Sequence, residues 1–162
     1  MTIEKDKMVE AANYVMTEKG GRIVVAYSKK SLEILKYFEL TIPEFRKGVL
    51  ASKVLEKKVQ EHYPEEYECA VKSTSAGLLK GRSPTKQENP VLDGIDEIIL
   101  KQARDETKDR LGRLVSIYNH KITAVLRYFS KVTPRYSISH AAAILLEEGL
   151  KEIYPEFWKD ED

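Results

Sequence analysis

The chain has 162 residues, 33% of them charged and 42% hydrophobic, with a formal net charge of +1. This is the balance of a folded globular chain with a real core, and the lack of any apolar run of about eighteen residues excludes a membrane-spanning helix. Cys69 is the sole cysteine, which excludes a disulfide within the chain, and the opening Met1-Thr2-Ile3-Glu4-Lys5-Asp6 has no signal-peptide pattern, so a cytoplasmic setting is expected.

A leading helix is expected over 3–18. After Gly20-Gly21 comes a β-branched and aromatic run, Ile23, Val24, Val25 and Tyr27, which reads as a short strand. Ser28 can cap the helix that follows, whose Leu32, Leu35 and Phe38 recur at helical spacing and which stops before Pro43. Proline has no amide to give and pushes the residue before it out of helical geometry. A second helix is expected after Gly48, with the stripe Leu50, Val54, Leu55, Val59 and Tyr63, ending at Pro64. Residues 68–91 contain Lys72-Ser73-Thr74-Ser75-Ala76-Gly77 and Arg82-Ser83-Pro84-Thr85-Lys86 and read as a linker loop.

The same order then returns. A second leading helix is expected over 92–109, a strand over 113–118, and a helix capped by Asn119 with Val125, Leu126 and Phe129, stopping before Pro134. A last helix from Ser139 carries Ala141, Leu145, Leu146, Leu150 and Tyr154 and ends at Pro155, leaving an acidic tail at 159–162. With an offset of 91 and no gap, residues 21–67 match 112–158 at 16 of 47 positions, and most other sites keep their apolar character. The chain therefore divides into a first helix-β-α-α repeat (1–67), the linker (68–91) and a second repeat (92–158). A lone short strand leaves its backbone groups unpaired. Two copies solve this by pairing their strands as an antiparallel ribbon. The expected fold is mainly α, a single-chain pseudo-two-fold arrangement with a short two-stranded ribbon and additional leading helices.

Strand, helix, helix in this order resembles the ribbon-helix-helix family of DNA-binding regulators. The second copy carries the pattern most fully: Arg113-Leu114-Val115-Ser116-Ile117-Tyr118-Asn119, then Ser137-Ile138-Ser139-His140-Ala141-Ala142, then Glu148-Gly149-Leu150. The first copy has Arg46-Lys47-Gly48 where Ser-x-Ser stands in the second. The tandem form, together with abundant Lys and Glu and scarce Gln, Asn and Cys, is similar to tandem members from hyperthermophilic archaeal viruses, which would place it in the host cytoplasm. The resemblance implies a transcriptional regulator, such as a repressor, whose ribbon enters the major groove of double-stranded DNA at a promoter or operator, with self-association along the DNA.

Period two leaves two registers for such a ribbon. The cap positions Ser28 and Asn119 favour the one with Ile23, Val25, Tyr27, Leu114, Ser116 and Tyr118 inward. Arg22, Val24, Ala26, Arg113, Val115 and Ile117 then form the base-reading face. Phosphate contacts are expected from Lys29, Lys30, Arg46, Lys47, Lys121, Arg135, Ser137, Ser139 and His140, at or near helix N-termini that favour anions. Helix capping alone is the other reading of the two serines, and solvated surface the other reading of the lysines. Burial of both ribbon faces also stays open.

No other chemistry stands out. His62, His120 and His140 lack metal-site spacing, Gly77-Leu78-Leu79-Lys80-Gly81-Arg82-Ser83 departs from a phosphate loop, and no serine sits in a nucleophile elbow. Neither cofactor, metal nor enzymatic activity is expected. The rival expectation, motivated by the apolar ribbon and the near-zero net charge, is an architectural or protein-interaction module that keeps the fold without reading bases.

Overall fold

A computed structural model describes residues 3–17, 21–25, 29–74, 89–108 and 115–159, with the side chains of Val25, Thr74 and Val115 excepted. The fold is mainly helical with one small two-stranded antiparallel sheet. In chain order the elements are α1 (Lys5–Val15), β1 (Arg22–Val25), α2 (Lys29–Thr41), α3 (Lys47–His62), α4 (Pro64–Thr74), α5 (Glu97–Glu106), β2 (Val115–Tyr118), α6 (His120–Val132) and α7 (Ile138–Ile153), followed by a 3-10 turn, Pro155–Trp158. Among the described residues no helix is long and apolar enough to cross a membrane.

The leading helices are shorter than expected, and two boundaries differ for physical reasons. Pro64 ends α3 but also opens α4, because a missing amide costs nothing in the first turn of a helix and φ is already set there. Glu65 and Glu66 favour that helix start through its dipole. The expected linker at 68–91 therefore begins as helix, through Thr74. Pro155 likewise starts the 3-10 turn that lays Phe157 into the core.

Several paired features recur at the 91-residue spacing. Helices α2 and α6 are each 13 residues long, and α3 and α7 are each 16. The turns between them hold Glu44 at φ 62° and Arg135 at φ 59°. In the first, Phe45 N–H donates to the Ile42 carbonyl at 3.4 Å, so Pro43 and Glu44 occupy the centre of a turn that demands a positive φ at its third residue.

Packing crosses between the two halves. α1 lies on α6, and α5 lies on α2. The Glu4 amide donates to the Tyr128 hydroxyl at 3.0 Å, and the Asp96 amide donates to the Tyr37 hydroxyl at 2.9 Å. Each leading helix thus has an N-terminal amide held by a tyrosine of the other half. One continuous core results, with Phe38, Leu35, Leu50, Leu55, Ile117, Ile122, Leu126 and Leu146 fully enclosed.

α3 and α7 cross at Gly149, where a Cβ would overlap Val54 Cγ1 and stand 3.3 Å from Lys58 Cγ. The Lys58 stem runs across that glycine, and its ammonium bonds Glu152 and Glu61 (3.0 Å), with Glu148 at 3.9 Å. Hydrogen bonding to Glu152 and Glu61 raises the Lys58 pKa above its ordinary 10.5, and the same bond lowers that of Glu152. A raised lysine contributes stability below its unfolded pKa and loses it as pH climbs through the folded value. A lowered carboxylate contributes above its unfolded pKa and loses it as pH falls through the folded value. The cluster should therefore support the fold between about pH 5 and about pH 10. Melting temperatures across that range should show a plateau whose shoulders are flattened in Lys58→Met.

Candidate functional site

The ribbon is the one sheet among the described residues, and its pairing sets what faces out. Arg22 lies opposite Tyr118, Ile23 opposite Ile117, Val24 opposite Ser116, and Val25 opposite Val115. Directly opposed residues share a face. Ile23 and Ile117 are 2% and 0% exposed and close the core beneath the ribbon. Arg22, Val24, Ser116 and Tyr118 form the outer face, with Tyr118 62% exposed.

For β1 this matches the expected register: Ile23 faces in, Arg22 and Val24 face out. For β2 it is the reverse. Ile117, expected among the base readers, is buried, and Ser116 and Tyr118, expected inward, face out. Isoleucine is wholly apolar, whereas a buried phenol or serine leaves a hydroxyl that needs a partner. Of the other expected readers, Ala26 and Arg113 lie outside the described residues. Val115 is described only by its backbone pairing with Val25.

Arg22 does not project freely. Its Nε–H and Nη2–H both donate to the Ser116 hydroxyl, at 3.2 and 3.1 Å, so the guanidinium lies diagonally across the ribbon. Five N–H groups are available on a guanidinium, and three remain.

The second helices grip the ribbon edges. α7 packs on β1 and α3 on β2. The Ser139 hydroxyl donates to the Val24 carbonyl. On the other edge a Cβ at Gly48 would stand 3.1 Å from the Ser116 carbonyl, so the backbone of α3 itself closes on β2. The Ser139 proton is thus engaged by the ribbon backbone. Ser137 is the N-cap of α7; its oxygen accepts from the His140 amide at 3.3 Å, and its own proton is not used in that bond.

α2 and α6 start just after the two strands. Asn119 caps α6 by accepting from the Ile122 amide at 3.2 Å, and its amide group donates to Ser52 at 3.0 Å on α3. Ser28, the matching cap, lies outside the described residues. An Asn119→Ala chain should lose about 1–2 kcal/mol of stability, measurable as a lower urea midpoint.

α3, α6 and α7, which pack on the ribbon, and α2, which follows β1 in the chain, have no acidic residue in their first turns. The other three α-helices do: Asp6 in α1, Glu65 and Glu66 in α4, Glu97 in α5. A helix dipole favours carboxylates at that end. These first turns instead hold Lys29, Lys30, Lys47, His120, Lys121 and His140, with Arg46 as the N-cap of α3. Lys29, Arg46, Arg135, Ser137 and His140 are exposed, and Lys30, Lys47 and Lys121 half-buried. Lys30 is 3.7 Å from Glu33, a buried carboxylate that Arg104 also meets at 3.3 Å, so its charge is balanced within the fold. Of the basic loop residues, Lys72 pairs with Glu68 at 3.6 Å on α4, while Lys80, Arg82 and Lys86 lie outside the described residues.

Sequence reasoning missed Ser116 and Tyr118 as outward groups. Strict alternation in Val115-Ser116-Ile117-Tyr118 pointed to them, since serine is the polar member of that run. Among the described residues no group of three or more His, Cys, Asp or Glu is placed to hold a metal ion. Compared with models of protein families, with curated proteins and with solved structures, the chain matches none.

Proposed function

We propose that the protein is a sequence-preferring, double-stranded DNA-binding transcriptional regulator, a single-chain ribbon-helix-helix with pseudo-two-fold halves that inserts its ribbon in the major groove. One observation carries this reading. The outward ribbon face, with Arg22, Ser116 and Tyr118, is edged by the starts of α3 and α7, and these helices, like α2 and α6, carry Lys, Arg or His and no carboxylate at their N-termini, where helices ordinarily prefer acidic side chains. Such ends gain most when a phosphate oxygen arrives. The major groove, about 12 Å wide, accepts a two-stranded ribbon. Self-association along DNA belongs to the same proposal, supported by exposed Val9, Ile98 and Ile144 on three helices.

The test is binding to random-sequence duplex and to DNA upstream of the protein's own gene, over a salt series. The expected result is salt-dependent binding that favours one site. Arg22→Ala should weaken that site by about 1–3 kcal/mol and leave random duplex little changed. Lys29→Ala and Lys47→Ala should weaken all duplexes alike and each lower the salt slope by about one. Equal affinity for every duplex would indicate an architectural role, and no binding at low salt would leave a protein-interaction module.

A further inference from the structure

The ribbon does not follow the spacing that relates the helices. α2 and α6, and α3 and α7, begin 91 residues apart. An antiparallel ribbon with a two-fold axis across it at that spacing would set its central residue opposite its own counterpart, Val24 opposite Val115 or Val25 opposite Ser116. Instead Val24 faces Ser116, and Val115 is paired with Val25. The strands are one residue out of step with the helices.

This changes what the outer face can recognise. Arg22 is opposed by a phenol and Val24 by a serine, so the two strands offer unlike chemistry. Arg22 and Ser116 are joined. The serine oxygen accepts both guanidinium bonds, and its own proton remains to be donated, so this corner presents only donors outward. Guanine, with O6 and N7 as paired acceptors, is the base edge that matches it. Tyr118 stands opposite Arg22 with its ring and hydroxyl largely exposed, a surface for a thymine methyl or a base edge.

The flanks differ as well. At the β2 edge the start of α3 brings Arg46 and Lys47, with Gly48 against the strand. At the β1 edge the start of α7 brings Ser137 and Ile138, with Ser139 bonded to Val24. The edges differ in where their basic groups sit: Arg46 and Lys47 at the start of α3, Arg135 just before α7 and His140 in its first turn.

Resting on the DNA-binding reading above, we infer that the protein recognises an asymmetric duplex site and binds it in one orientation, with Arg22 reading a guanine and Ser116 serving as its positioning residue.

The experiment is enrichment of preferred duplexes from a random pool, with the wild-type chain and with Arg22→Ala, Ser116→Ala, Ser116→Thr and Tyr118→Ala, each first confirmed to melt cooperatively. The expected consensus has no dyad symmetry. Arg22→Ala and Ser116→Ala should relax the same guanine position, by about tenfold or more for the arginine. Ser116→Thr, which keeps the hydroxyl, should restore it. Tyr118→Ala should relax a different position. A palindromic consensus, or relaxation at two dyad-related positions, would overturn the inference and leave the DNA-binding reading standing. Binding without enrichment of any sequence would overturn base reading itself, and the inference with it.

Discussion

Replacing Ile117 by alanine should lower the unfolding free energy by about 2–5 kcal/mol, whereas Tyr118→Ala should change it by no more than about 1 kcal/mol. The two residues are neighbours on one short strand, and the contrast follows from its pairing alone. Ile117 is 0% exposed, lies opposite Ile23, and closes the core where the ribbon meets the helices. Truncation there removes buried methyl groups and leaves a space that the packed helices cannot fill without moving. Tyr118 is 62% exposed and seals no part of the core. Urea unfolding of the two variants measures the difference directly. A severe loss for Tyr118→Ala with a mild one for Ile117→Ala would mean that β2 has the opposite face inward, and the site residues would exchange with it.

The second large effect is expected at Gly149. Glycine to alanine within a helix normally stabilises, by about 0.5–1 kcal/mol, because it restricts the unfolded chain. Here the sign should reverse. An added Cβ would overlap Val54 Cγ1 and crowd the Lys58 stem, and Val54 is itself only 3% exposed. Overpacking of this kind typically costs about 1–3 kcal/mol. Gly149→Ala should therefore melt below the wild type. Val54→Ala, which removes the opposing methyls, should relieve part of the loss in the double variant, giving a measurable coupling between the two sites. If Gly149→Ala melted higher than the wild type, the close approach of α3 and α7 would be wrong.

The repeat made most of the architecture legible. Paired helices, the prolines that end them, the capping role of Asn119 and the existence of a ribbon all follow from local signals that the duplication states twice. Three features were not legible, each for its own reason. Pro64 was read as a stop, although the physics that ends one helix also permits the next to begin at once. The exchange of α1 and α5 between halves depends on which apolar face is left open after the ribbon forms, and no spacing in the chain records that. In the sequence, the cap positions Ser28 and Asn119 favour Leu114, Ser116 and Tyr118 inward on β2. The alternation within Val115-Ser116-Ile117-Tyr118, with serine as its polar member, points the other way, and the strand pairing follows it. Helix packing tolerates a one-residue change in the connecting strand more readily than a strand tolerates an isoleucine in water. Lys30 and Ser139 show a related limit: Glu33, three residues on, meets the one, and the Val24 carbonyl, far along the chain, engages the other.

The crossed placement of the leading helices also bears on how the molecule is made. α1 rests on α6, and the bond from Glu4 to Tyr128 joins residues separated by 124 positions. A ribosome adds about 5–20 residues per second, so the first helix emerges on the order of ten seconds before the surface it covers has been synthesised. Through that interval Met8, Ala11 and Val15, all 0% exposed in the finished fold, lack the α6 surface and have only α4 of their native neighbours. Contacts this distant also slow folding after release, because a long loop must close before they contribute. The nascent amino-terminal half is therefore the stage at which this chain is most open to aggregation and most dependent on chaperones.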